Sequence, residues 1–461
     1  MFVNEDIGGR AYDCYVIGTG PAGMTVALEL GRSSKRVLML EAGEEGQRGL
    51  SDSIGYGHYS GGYWNRHALK ALGGTSNAWT GWCTTLRDLD FDNPSVGVSW
   101  PISRADLLPF YRKAAAVLDR DPSIVDFERE FVPGFQYRPF SRQPPTRFAV
   151  KYLDTLKSST QIDVASGCSS VGFDADESRR SVQAIRYFHH ASGTSRRLTL
   201  GARQWVVLAT GGIGNAQLLL QPGSDGQIPV GNESGQVGRF LMEHPHFSNS
   251  AEIVLDEDLD SRSPPAEFGR VEHALVADRA LSIEHQLFGC SMECSRMTGS
   301  DPVVAQHLSR ELGKPFHHYS VFVRSEMLPS PANRVSLTGE RDAAGLYRPA
   351  LRCVLDSRDF LNAEMTLRLL GERLIAGRKG RIRVHNDRIY KQVGGGGHIL
   401  GTTRMGQNSS TSVVDRECRV HGYANLFIAG SSVFPTGGYA NPTLTIVALA
   451  QRLGERLAKQ S

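Results

Sequence analysis

No two of the seven cysteines (Cys14, Cys83, Cys168, Cys290, Cys294, Cys353, Cys418) form a Cys-x-x-Cys pair. The nearest two, Cys290 and Cys294, stand four apart with no second pair to match. That spacing argues against a paired-thiolate zinc site, and an odd, scattered set points to buried thiols in a reducing compartment. The chain also lacks any run of about 18 apolar residues, so no membrane-spanning helix is expected. Its opening residues, Met1 to Asp6, hold neither a basic cluster nor an apolar stretch, so the expectation is no signal peptide and a cytoplasmic location. Charge of one sign is missing too: 51 Lys and Arg face 48 Asp and Glu, a net +3 with the basic residues scattered. Neither nucleic acid nor a membrane surface is an expected partner. Internal repeats and low-complexity linkers are absent.

What remains is an ordinary globular balance, 40% hydrophobic and 21% charged over 461 residues, enough for roughly two to three domains. Glycine, at 50 residues, gathers where apolar runs end. The clearest case is Tyr12 to Gly18, a buried-strand signal running into Gly18-Thr-Gly20-Pro-Ala-Gly23, a helical stretch from Met24 to Arg32, and a second strand from Arg36 that closes on Glu41. This is the βαβ dinucleotide fingerprint in its proper context. Gly18 makes the tight turn, Gly20 lets a pyrophosphate approach the backbone, and Gly23 allows close helix–sheet packing. The helix N-terminus faces the phosphates with its partial positive charge. Glu41, eighteen residues past Gly23, can accept from a ribose hydroxyl and would repel the 2′-phosphate of NADP.

A Gly- and Tyr-rich loop is expected from Gly55 to Tyr63. In Ala71-Leu-Gly73-Gly74-Thr-Ser76-Asn77-Ala78-Trp79-Thr-Gly-Trp82, the small residues Gly73, Gly74 and Ser76 would let backbone lie against a flat ligand. Trp79 and Trp82 could wall that ligand in or pack as ordinary core. Ser103 is a candidate N-cap for a helix running to about Leu118. A β-rich stretch from Ile162 to Thr199 leads into Gln204 to Gly212, a second strand-to-glycine turn, with Ile213 to Gln221 helical. Val237 to His246 then leaves this unit through His244-Pro245-His246, a pair that lacks a third metal ligand nearby; no metal is expected. Residues 247–392 read as a mainly antiparallel layer with a helix over about Ser357 to Ala376, on which a substrate pocket could be built. Glu326, Asn333 and Arg334 read there as turn and salt-bridge residues.

The C-terminal part holds two candidates for chemistry. His398 follows a flexible-looking run of four glycines, and imidazole titrates near neutral pH, as proton transfer requires. Asn441 precedes Pro442, a pair that fixes a local turn and can aim its amide at the same point. Thr443 to Ala458 reads as a closing helix.

Taken in order, Gly18-Thr-Gly-Pro-Ala-Gly23, Glu41, Gly73-Gly-Thr-Ser-Asn77, Ala209-Thr-Gly-Gly212, Val237-Gly-Arg-Phe-Leu-Met-Glu-His244-Pro245, His398-x-x-Gly-Thr-x-Arg-Met-Gly406 and Asn441-Pro-Thr-x-Thr445 resemble the glucose–methanol–choline (GMC) oxidoreductases. Residues Gly73 to Thr80, Val207 to Leu220 and the His398/Asn441 pair lean towards the pyranose oxidase-like, glycoside 3-oxidase-like branch. The resemblance implies an α/β fold: an FAD-binding, Rossmann-like domain plus a discontinuous α+β substrate-binding domain built on an antiparallel sheet. The FAD-binding part is expected over 1–90, 160–245 and 395–461, and the substrate-binding domain with connecting segments over 91–159 and 246–394.

It further implies FAD, with the ADP half on Gly18, Gly20, Gly23 and Glu41. The isoalloxazine would lie between Gly73, Gly74, Ser76, Asn77 and Trp79 on one side and Asn441, Pro442 and Thr443 on the other. Ala209 belongs to the same site, and Gly430 and Ser431 would lie near the pyrophosphate. Pyranose oxidases carry a histidine bonded to the flavin; the matching position here is Ala78, which predicts non-covalent FAD. The chain is shorter than typical members, which implies a reduced substrate domain or oligomerisation arm.

The implied reaction is oxidation of a secondary alcohol of a sugar, glycoside or cyclitol to the ketone, with hydride passing to flavin N5. His398 would be the base, and Asn441 would hydrogen-bond the same oxygen. Oxygen, a quinone or a protein would then take the electrons. Three alternatives stay open: a non-redox flavoprotein lyase of the same family, an oxidase or dehydrogenase of a non-sugar alcohol, and an NAD-dependent dehydrogenase on the same βαβ fingerprint. A flavin-binding subunit without catalysis is disfavoured by the intact histidine–asparagine pair.

Overall fold

Pro21 supplies the first residue of the helix Pro21–Arg32, where its missing N–H costs nothing, and Ala22, Met24, Val26, Ala27, Leu28 and Leu30 bury almost the whole element against a sheet. In the computed structural model, which describes residues 2–3, 7, 10–43, 49–125, 129–142, 144–201, 203–223, 228–259, 271–297 and 303–460, that sheet has five parallel strands. Their spatial order is Ile162–Ala165, Val37–Leu40, Cys14–Ile17, Trp205–Leu208, Leu426–Ile428. Cys14–Ile17 pairs in register with Val37–Leu40 on one side and Trp205–Leu208 on the other. The strands are buried on both faces, which is why each reads as a continuous apolar run and not as an alternating one. Met1 and residues 4–6, part of the N-terminal reading, lie outside the described residues.

A second, antiparallel sheet runs in the order Gly380–Val384, Pro245–Leu255, His317–Ser325, Cys290–Arg296, Val271–Ala277, Phe135–Arg142, Trp82–Cys83. The helix Ser357–Ala376, capped by Asp356, lays Leu367, Leu370 and Leu374 on one face against Phe247, Ile253, Val321 and Val323. Strand alternation turns Arg324 to the opposite face, where its guanidinium lies over Phe140 and Trp82. Phe140 in turn meets Tyr439, from the segment that follows the last strand of the parallel sheet, with ring centroids 6.0 Å apart.

The segment 91–159 divides between the two halves. The helix Arg104–Val117, whose cap Ser103 exchanges hydrogen bonds with Asp106, packs on the closing helix Thr443–Ala458, and Tyr111 Oη lies 2.9 Å from Thr445 Oγ1. Leu107, Tyr111, Phe148 and Leu156 join the apolar core of the parallel sheet, while Phe135–Arg142 belongs to the antiparallel one. The expected loop from Gly55 to Tyr63 is corrected at its start: Ile54–Gly57 pairs in parallel with Tyr347–Cys353. Propensity could not show this pairing, because its partner lies about 300 residues away. All seven cysteines are free, and six of them are buried. No helix among the described residues is long and apolar enough to cross a membrane.

Candidate active site

The turn after the first strand is built as its glycines require. A Cβ on Gly18 (φ +99°) would lie 2.7 Å from Ala209 O, and one on Gly23 would lie 2.1 Å from Gly18 O. Gly20 differs: its nearest neighbour would be Gly74 Cα at 4.0 Å, so its open side faces a cavity. This cavity, of about 550 Å³, runs between the two halves. Of the residues singled out from sequence, Gly18, Gly20, Glu41, Gly74, Ser76, Trp79, Ala209, His398, Gly430, Ser431, Asn441, Pro442 and Thr443 line it, and so does Ala78. Gly23, Gly73 and Asn77 do not. Gly23 seats the helix on the sheet, Gly73 (φ +81°) passes close against Ala149, and the Asn77 amide donates to Leu72 O (2.8 Å) and Gly74 O (3.0 Å) to hold the turn.

At one end of the cavity Glu41 is buried, and burial pushes its carboxyl up from the ordinary range, opposed by its hydrogen bonds. Its Oε2 accepts from Thr19 N (3.1 Å) and Thr19 Oγ1 (2.5 Å), and its Oε1 accepts from Gly43 N (2.9 Å). Oε1 therefore keeps capacity for one further donor. Next to it runs Cys168, whose N–H bonds Glu41 O, and two residues on lies Ser170, whose buried Oγ has no partner. In the middle, the helix Gly211–Leu220 presents its N-terminus. The motif Gly401-Thr-Thr-Arg-Met405 supports that wall: Thr402 Oγ1 donates to Gly212 O (2.5 Å), Thr403 N to Ser432 O (2.8 Å) and Met405 N to Val433 O (2.7 Å). Trp79 fixes its indole N–H on Thr146 O (2.9 Å) and leaves a ring edge in the wall.

The other end holds the candidate chemistry. Gly394 and Gly395 pair antiparallel with Pro245 and His246, which delivers His398 beside Glu243 and His244. The glycine run is packed, contrary to its flexible look. A Cβ on Gly395 would lie 2.3 Å from Tyr63 Oη, one on Gly396 2.6 Å from His398 Cε1, and one on Gly397 (φ +70°) 2.3 Å from His67 Cγ. Buried Glu243 accepts from His398 N and His244 N, both at 2.8 Å, and from Tyr63 Oη at 2.7 Å. Burial pushes its carboxyl up to about 7 despite those donors. His398 Nδ1 lies 2.7 Å from His244 Nδ1, and His398 Nε2 lies 3.3 Å from Asn441 Nδ2. His244 Nε2 contacts Gly437 O at 3.2 Å. Arg324 Nε donates to His246 Nε2 at 3.3 Å. Burial, reinforced by His244, His246, Arg324 and His67, holds the His398 imidazolium well below its usual range.

Glu326, read from sequence as turn and salt-bridge structure, is buried against Gly438 and Gly289. Its two carboxylate oxygens accept from Gly438 N (2.8 Å) and Gly289 N (2.9 Å), and burial and Asp90 push it up to about 7. Asn333 spans Val354 N and O as a local clamp. Sequence reasoning missed Glu243, His244 and Tyr63 as parts of the site. The signal was Glu243-His244-Pro245-His246, read there as part of a family motif and as a metal pair but given no role in the site; among the described residues no group of three or more His, Cys, Asp or Glu side chains could hold a metal ion.

The chemistry of this lining suits a dinucleotide. It combines an open-faced Gly20, helix N-termini along the wall, a carboxylate with spare accepting capacity at one end, and unpartnered Ser170 Oγ and Asn441 Oδ1 along its length. Residues 329–450 match the family model described as GMC oxidoreductase. A 2-methyl-1,2-propanediol dehydrogenase of Mycolicibacterium austroafricanum is 24% identical over 97% of this chain and 95% of its own. A C-glycoside 3-oxidase of Arthrobacter globiformis is 44% identical over 64 residues, covering 14% of this chain and 12% of its own. The solved structure of a pyridoxine 4-oxidase shares the fold over 97% of this chain and 99% of its own, with a TM-score of 0.59 at 16% identity. With the motif order, the two-sheet architecture and these likenesses in agreement, residues 329–450 carry a GMC oxidoreductase domain, in a chain similar over its length to an alcohol dehydrogenase and sharing its fold with a solved oxidase.

Proposed function

We propose that this protein oxidises a secondary alcohol of a sugar, glycoside or cyclitol to the ketone, with His398 as base and Asn441 as its partner on the reacting oxygen. The observation that carries this reading is the His398 Nε2–Asn441 Nδ2 pair, 3.3 Å apart on the wall of a cavity also lined by Gly18, Gly20 and Gly74. FAD, bound there without a covalent link because Ala78 offers no nucleophile, would supply the hydride acceptor. Gly18, Gly20, Glu41, Gly430 and Ser431 would hold its nucleotide half, and Gly74, Ser76, Trp79 and Asn441 to Thr443 would flank its ring system.

The residues divide the work as follows. A hydroxyl entering the cavity donates to His398 Nε2 and accepts from Asn441 Nδ2, so both lone-pair and proton demands of one oxygen are met. As the O–H bond breaks, negative charge builds on that oxygen, and its electron pair forms the C=O bond as the adjacent carbon releases hydride. His398 takes the proton, and the amide dipole of Asn441 stabilises what charge remains. Glu243 holds His398 at its backbone, which keeps the ring in place while it changes charge.

The test is anaerobic addition of free sugars, O- and C-glycosides, cyclitols and short aliphatic diols to the yellow protein, following visible absorption. Bleaching by glycosides or cyclitols supports the sugar reading. Bleaching by diols alone supports the second reading, a non-sugar alcohol dehydrogenase, which the full-length likeness to a propanediol dehydrogenase favours. Bleaching by dithionite but by no alcohol would direct attention to lyase activity. Admitting air after bleaching tests oxygen as the electron acceptor.

A further inference from the structure

We infer that His244 is a positioning residue for the reaction: it accepts a hydrogen bond from the Nδ1–H of His398 and thereby leaves His398 Nε2 bare toward the cavity. The assignment of its role rests on His398 being the base; the assignment of the proton positions does not.

The chain of hydrogen bonds has one free end and one fixed end. Gly437 O can only accept, so His244 Nε2, 3.2 Å away, carries a proton. His244 is fully buried, and burial together with Arg324 pushes it down to about 3, so the ring is neutral and its second nitrogen has no proton. That nitrogen, Nδ1, meets His398 Nδ1 at 2.7 Å, and one proton must lie between them. It belongs to His398. His398 is neutral as well, so its Nε2 holds only a lone pair, and the donor Asn441 Nδ2 at 3.3 Å matches that polarity. The reverse polarity would place two protons on buried His244 beside Arg324. An imidazole left to itself favours no such arrangement, and a base with its proton on the wrong nitrogen cannot take another from substrate.

The other groups around the ring leave this assignment intact. Glu243 bonds the His398 backbone and not its ring, Tyr63 bonds Glu243 and the Gly397 N–H, and His246 receives Arg324 on its Nε2 and touches His398 only ring to ring, with centroids 5.8 Å apart. His67 packs against Gly397 and Tyr63. During reaction the substrate O–H bond breaks and the Nε2–H bond forms, while the Nδ1–H bond to His244 persists. The imidazolium is thus backed by a neutral ring and not by a carboxylate.

Two variants and one spectrum test this. In the FAD-loaded protein with ¹⁵N-labelled histidine, the His398 signals, assigned by their loss in His398→Asn, should show a protonated Nδ1 and an unprotonated Nε2. His244→Ala should convert a substantial fraction of His398 to the Nε2-protonated form and slow anaerobic flavin reduction about 10²- to 10⁴-fold with FAD still bound. His244→Asn, whose Oδ1 can stand in for the accepting Nδ1, should restore both the spectrum and most of the rate. An Nε2-protonated His398 in the parent overturns the inference, and so does a His244→Ala protein that keeps the parent spectrum and rate. If the spectra come out as stated but no alcohol reduces the flavin, the proposed reaction fails while the proton assignment stands.

Discussion

Glu243 Oε1 accepts the backbone N–H of His398 at 2.8 Å across 155 residues of chain. This one contact ties the segment just before the strand Pro245–Leu255 to the loop that carries the candidate base. Because burial raises Glu243 from 4.5 to about 7, the unfolded chain releases this proton before the folded one does. The folded form then binds more protons between those values, so the contribution is full below about pH 4.5 and is lost as pH rises through about 7. Relative to Glu243→Gln, which cannot titrate, the parent should lose up to about 3 kcal/mol over that window. Denaturant unfolding of both proteins at pH 4.5 and pH 8 measures it; a flat or growing advantage for the parent refutes the assignment.

Gly20 and Gly23 should fail in opposite ways. A Cβ at Gly23 meets Gly18 O at 2.1 Å, so Gly23→Ala is expected to destabilise the fold itself by about 1–3 kcal/mol or more. A Cβ at Gly20 meets nothing within 4 Å but Gly74 Cα at that limit, so Gly20→Ala should unfold at the parent's temperature once FAD is removed. It should nonetheless bind FAD about tenfold or more weakly, the equivalent of about 1.4 kcal/mol. Melting of the flavin-free proteins and fluorescence titration with FAD separate the two effects.

His398→Ala should bind FAD yet lose about 10²–10⁴-fold in anaerobic flavin reduction by a productive alcohol. Asn441→Ala should lose about 10²–10³-fold, as expected for one donor to a developing oxyanion. Stopped-flow absorbance gives both rates, and a parent-like rate in either variant would remove that residue from the mechanism.

Thr402 is fully buried and donates to Gly212 O at 2.5 Å. Thr402→Val keeps the shape and removes one donor to that carbonyl, so a loss of about 0.5–1.5 kcal/mol in stability is expected. Equal denaturation midpoints for variant and parent would show that the Gly401–Met405 segment does not brace the helix start as described.

On the proposal of non-covalent FAD, acid precipitation should leave the pellet colourless and release all flavin to the supernatant, since the methyl group of Ala78 offers no nucleophile. Yellow colour retained by the denatured chain would overturn non-covalent binding.

Much of the fold could be read residue by residue because the physics involved is local. An apolar run ending in Gly18, a helix with Pro21 in its first turn and a second run ending in Glu41 each declare themselves within a few residues. Ser103 announces a cap, and the closing helix carries its period over Thr443–Ala458. The pairing of His398 with Asn441 came from recognising motifs, not from any local rule. The partner of Ile54–Gly57 and the division of residues 91–159 between two sheets were not legible, because strand pairing and helix docking depend on surfaces supplied from hundreds of residues away.

The sequence by itself determined which residues could do chemistry and where a dinucleotide could lie, since glycine, histidine and asparagine each bring a property no neighbour can replace. Only the tertiary structure decided how the histidine is held. The run of glycines looks mobile as a string of letters, yet Tyr63, His67 and His398 itself leave no room for a Cβ at Gly395, Gly396 or Gly397. His244 reads as half of an unmatched metal pair until antiparallel pairing of Pro245 with Gly395 brings it to His398. The reason is general: a side chain's pKa, tautomer and reach are set by what surrounds it in space, and here those surroundings come from residues 63, 243, 244, 324, 398, 437 and 441, far apart along most of the chain.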